Sequence, residues 1–167
     1  MQKFNIIAAV TMIAVSAPAI AATEGHPEWL FVQTAGHIEV IDDNTIVVPV
    51  DREIFAFTDR PERRHAHFNA HEFAMGWDER ENSFLEDPPN VVITWVEDGE
   101  VERVEAVFTD ASVQDLGRSI RYAVTGVDLN EMPDLMSDVS IYVDGGCIPN
   151  GMGACGDVSG GGPGGLF

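Results

Sequence analysis

Apolar side chains recur at every second position along much of this chain. Ile120, Tyr122 and Val124 alternate with Arg121, Ala123 and Thr125, and Val139, Ile141 and Val143 repeat the pattern near residue 140. That period of two belongs to strands that bury one face. Asn90 to Val96 and Val101 to Phe108 flank Glu97-Asp98-Gly99-Glu100, and Asp-Gly between two apolar runs predicts a tight hairpin. His37 to Ile41 leads into Thr45 to Val48 through the turn residues Asp42-Asp43-Asn44. Trp29 to Gln33 and Glu53 to Phe57 complete the set. Short strands at hairpin spacing predict a mainly all-β fold, an antiparallel β-sandwich or partly open barrel of about seven or eight strands.

One helix interrupts the strands, near residues 70–79. Asn69 can cap it and Glu72, three residues on, can answer as the reciprocal partner. Phe68 and Phe73 take the positions of a hydrophobic staple. Phe73 and Trp77 lie one turn apart on a common face, while Gly76 weakens the end. Phe84 and Leu85 are expected to tuck beneath a loop stiffened by Pro88-Pro89.

Composition sets the surroundings. The chain has 167 residues, with 28 Asp plus Glu against 9 Lys plus Arg and a net charge of −19. An apolar fraction of 45% supports a core, so the charge does not imply disorder. It does exclude a sequence-independent nucleic-acid binder, which needs cations against phosphate, and it opposes docking on anionic lipid. Residues 1–21 have the pattern of a secretory signal peptide: Lys3, an apolar run from Ile6 to Val15 too short to span a bilayer, and Ala19-Ile20-Ala21 at the cleavage site. The expected location is periplasmic or extracellular, without membrane anchoring once the leader is cut. Residues 22–144 then form the β-rich domain, and 145–167 a Gly-rich tail with a Cys pair. Lys3 is the lone lysine, so every cation of the remaining chain is an arginine.

Two short boxes stand out. Phe57-Thr58-Asp59-Arg60-Pro61-Glu62-Arg63, followed by His67, Phe73 and Trp77, and then Asp87-Pro88-Pro89-Asn90, resemble a family of small exported bacterial proteins of unknown function. That family is marked by an aromatic-Ser/Thr-Asp-Arg-Pro box and a later Pro-Pro-Asn box. Arg121 to Val124 and Ser140 to Asp144 resemble its closing strands. The resemblance covers roughly residues 29–144 and implies export and a β-rich fold. It implies no activity.

Four groups of residues are candidates for chemistry. Asp59, Arg60 and Arg63 surround Pro61 at a strand end, either as a rigid corner or as a contact for an anionic ligand. His65, His67 and His71 have ligand-like spacing, since residues two apart on a strand share a side, and neutral imidazoles suit Cu or Zn. Arg63 and Arg64 alongside oppose a dication. Asp128, Asn130, Glu131 and Asp134 gather around Pro133, but their spacing matches no calcium loop. Cys147 and Cys155 are expected to form a disulfide in an exported protein, the alternative being a thiol pair with Met152 as a soft ligand for Cu(I). No nucleophile elbow, zinc-protease helix, phosphate-binding loop or dinucleotide fingerprint occurs. The expectation is a non-catalytic binding module for a protein or small ligand. Its rivals are a periplasmic Cu or Zn protein using the three histidines and an unrecognised hydrolase.

Overall fold

The computed structural model describes residues 29–58, 60, 63–78 and 83–145. These residues form eight strands: β1 (Trp29–Asp42), β2 (Thr45–Pro49), β3 (Ile54–Thr58), β4 (His65–Phe68), β5 (Asn90–Glu97), β6 (Glu100–Gln114), β7 (Ser119–Thr125) and β8 (Leu135–Val143). One short helix, α1 (Ala70–Ala74), runs into a 3₁₀ turn, Met75–Trp77. All strand pairings are antiparallel and belong to one sheet, in the order β2-β7-β6-β5-β8-β1-β3-β4. The all-β fold expected from the alternating pattern is therefore observed, as a partly closed sheet.

Closure depends on the length of β1. Its first half pairs with β3 and its second half with β2, which also pairs with β7. The alternation suggested two strands here, Trp29 to Gln33 and His37 to Ile41, but Thr34-Ala35-Gly36 continue the strand. Ala35 and Ile38 both face the core, and the space around Gly36 is open. Register shifts at Val40/Asp42, Thr94/Val96 and Phe108/Asp110 bend the strands at the points where the sheet must curl. At the second of these, Asp138 on β8 takes a left-handed conformation, with φ of 50°.

The local turn chemistry behaves as the residues require. Asp98 and Gly99 both have positive φ (52° and 83°), so the β5–β6 hairpin has the twist that its strands need. Asn69 Oδ1 accepts from the Glu72 amide and Glu72 Oε2 from the Asn69 amide, each at 3.0 Å, completing the capping box. The helical segment stops at Trp77 rather than near residue 79, because the chain tightens into a 3₁₀ turn around Gly76.

The core is one continuous cluster. Phe31 meets Phe68, Phe73 and Phe84 with ring centroids 5.2–6.0 Å apart. Trp77 packs on Phe73, Phe84 and Tyr122, and Tyr122 stacks on Phe108 at 4.2 Å. Trp77 Nε1 donates to the Phe108 carbonyl at 3.2 Å, tying the helical segment to β6. Since α1 touches β4 on one side and β6 and β7 on the other, it bridges the two flanks of the curled sheet. Phe84 is buried here as expected, whereas Leu85 is 46% exposed: the turn gives its interior place to Phe84 alone.

Candidate functional site

The residues singled out by spacing do not converge. His65 and His67 do share a face of β4, both exposed, with the Phe55 ring 6.5 and 5.2 Å away. His67 Nδ1 lies 3.9 Å from Glu53 Oε2. His71, however, sits on α1, and its ring lies against the loop at Gly117: a side-chain carbon built there would be 3.2 Å from Nε2. Ring contacts thus divide the three histidines between β3 and the β6–β7 turn. Among the described residues no group of three or more His, Cys, Asp or Glu side chains is arranged to hold a metal ion.

Arg60 and Arg63 both lie exposed in the connection between β3 and β4, and Arg63 has a φ of 51°. The ends of that connection are pinned, since the Arg64 amide donates to Thr58 Oγ1 at 2.9 Å and the Thr58 amide to the Arg64 carbonyl at 3.0 Å. Asp59, Cys147 and Cys155 lie outside the described residues, as do residues 1–21. The acidic loop around Pro133 has a structural use: Asp128 Oδ1 accepts from both the backbone amide and the side-chain amide of Asn130 at 3.0 Å, capping a 3₁₀ turn.

A site that spacing did not reveal lies on the outer face of the sheet. Strand register brings Phe55, Val32, Tyr142, Val92 and Glu105 into one row across β3, β1, β8, β5 and β6. The next row begins with Phe57 and Leu30, and ends at Asp144 and Asn90, which are joined by an amide-to-carbonyl bond of 2.8 Å. Phe55 and Phe57 stack at 5.8 Å. Between these rows runs a groove of about 390 Å³, walled by Leu30, Val32, Phe57, Val92 and Tyr142. The core residues Phe31, Val91, Ala106 and Val143 also reach it from below. The charged groups lining it are Glu105 and Asp144, both carboxylates.

This volume is at the lower end of the range for small-molecule sites, and the site has their usual chemistry of apolar walls with few polar groups. Such a face is uncommon on a sheet turned to water, where polar residues normally alternate outward. The sequence did carry a signal for it. Ile54-Phe55-Ala56-Phe57 is apolar on both faces, and Tyr142 and Val32 occupy outward positions where polar residues were expected.

Among the described residues no helix is long and apolar enough to cross a membrane. Set against known protein families, curated proteins and solved structures, the chain finds no match.

Proposed function

We propose that this chain is an exported, non-catalytic binding module that takes a small apolar ligand with a cationic or hydrogen-bond-donating end. The observation that carries the reading is the outer-face groove, in which five strands contribute apolar side chains and two carboxylates stand at the rim. Burying an apolar ligand against those walls yields about 25 cal/mol per Å² of surface removed from water, which favours a chain or ring over a polar metabolite. Glu105 and Asp144 orient it, because either carboxylate accepts hydrogen bonds and neither donates when ionised. The leader-like residues 1–21 and the resemblance of the two boxes to exported proteins support export, which places the ligand in the periplasm or outside the cell.

Calorimetric titration with dodecyltrimethylammonium and with decanoate, both below micelle-forming concentrations, tests the proposal. Saturable binding of the cationic amphiphile is expected, with the anionic one weaker. Val92→Trp, which fills the groove from an outward position, is expected to weaken binding by about tenfold or more, equal to about 1.4 kcal/mol. Absence of saturable heat from either amphiphile, or unaltered binding by Val92→Trp, overturns the reading.

A further inference from the structure

A second feature is independent of the groove. Among the described residues β4 ends the strand order and pairs with β3 alone, so its other side is a sheet edge there. The register identifies the groups at that edge. Thr58 and Arg64 are a hydrogen-bonded pair, as the 3.0 Å bond between them shows. Pairs of this kind alternate along an antiparallel ladder, so Ala56/Ala66 and Ile54/Phe68 are bonded in the same way. The intervening residues His65 and His67 therefore turn their amides and carbonyls away from β3. Among the described residues no strand lies across them.

Natural sheets blunt such edges with charge, proline or a covering segment, because an open edge is a template for another strand. This edge is short, but its charge is unlike that of the rest of the molecule. Four of the eight arginines, Arg52, Arg60, Arg63 and Arg64, lie between residues 52 and 64, and β4 with its two preceding residues reads Arg-Arg-His-Ala-His-Phe without an acid. Asp51, Glu53, Asp59 and Glu62 offset the arginines in number, so this stretch is about neutral in a chain of net charge −19. An acidic segment repelled elsewhere on the surface meets no acidic side chain on β4. The other face of β4 carries Ala66, half-buried, and Phe68, buried, so the alternate side chains of an added strand meet apolar neighbours there.

We propose that β4 is a docking edge for an extended acidic peptide segment of a partner protein, which adds as a ninth strand. The backbone groups of His65 and His67 supply up to four hydrogen bonds. The outward imidazoles of His65 and His67 and the exposed Arg63 before β4 select for carboxylates on that face, and the alternate positions, which turn to the face of Ala66 and Phe68, favour apolar residues. Backbone bonding gives affinity and the side-chain positions give specificity, as in other cases of strand addition.

Fluorescence anisotropy with a short labelled peptide of alternating Glu and Val tests this, alongside a Lys-Val counterpart and a Glu-Val peptide N-methylated at alternate residues. His67→Pro is the matching protein variant. Proline is tolerated on an edge strand where its nitrogen faces solvent, so the fold survives while one outward donor is lost. Binding of the acidic peptide is expected, with a loss of about tenfold on N-methylation or on His67→Pro, the scale of one or two backbone hydrogen bonds. The lysine peptide is expected to bind at least about tenfold more weakly than the acidic one. Equal binding of acidic and basic peptides overturns the proposal. So does indifference to N-methylation, a measurement that remains decisive even if His67→Pro fails to fold.

Discussion

Tyr122 carries a hydroxyl into the middle of the core, where it donates to Gln33 Oε1 at 2.6 Å. Both residues are 2% exposed or less, and among the described residues Gln33 Nε2 has no hydrogen-bond partner. A buried polar pair of this kind is costly to half-remove and nearly neutral to remove entirely. Tyr122→Phe is therefore expected to destabilise by about 1–3 kcal/mol in urea unfolding, because it strands the Gln33 carbonyl. Gln33→Leu added to it is expected to restore most of the loss. Burial also raises the Tyr122 hydroxyl well above the usual tyrosine range. The folded state then keeps a proton that the unfolded chain releases, so this group's contribution is intact below pH about 10 and is lost as pH rises beyond it, by about 1.4 kcal/mol per unit. That alkaline slope is expected to flatten in Tyr122→Phe; an unchanged slope would show that it comes from elsewhere. The alternation of residues 120–124 marked Tyr122 as inward-facing. Its partner 89 residues away in sequence was invisible there, since the pairing exists only once β1 and β7 face one core.

At the scale of elements, local chemistry was legible and extent was not. The capping box, the Asp98-Gly99 hairpin and the turn through Asn44 formed as their residues require, because each involves groups within four residues of one another. The continuity of β1 through Gly36 and the early end of the helical segment depended on neighbours distant in sequence. Gly76 shows why. A side-chain carbon there would sit 2.6 Å from Phe84 Cδ2, and the Phe84 amide donates to the Gly76 carbonyl at 2.7 Å. The glycine that weakens the helix is also the seat of a buried aromatic. Gly76→Ala is expected to cost about 1–3 kcal/mol by displacing Phe84, more than the helix propensity of alanine, about 1 kcal/mol, returns. A gain in the urea midpoint would show that Phe84 yields freely.

The whole molecule sets an acidic surface around a closed aromatic core. With a net charge of −19, mutual repulsion of the carboxylates opposes the compact state. Added NaCl screens it, the screening length falling to about 8 Å at 0.15 M, so the urea midpoint is expected to rise with salt up to a few tenths molar. A flat or falling midpoint would mean that the acids are spaced widely enough not to interact. Taken alone, the order of residues determined the fold class, the turns, the capped helix and the charge, since these follow from periodicity, from nearest-neighbour bonding and from counting. Only the tertiary structure decided that His71 parts from His65 and His67, that Leu85 stays out while Phe84 goes in, and that Leu30, Val32, Phe57, Val92 and Tyr142 meet across four strands to wall a groove. The physical reason is register: which outward side chains become neighbours depends on how strands far apart in the chain line up, and that alignment is set by the packing of their opposite, inward faces.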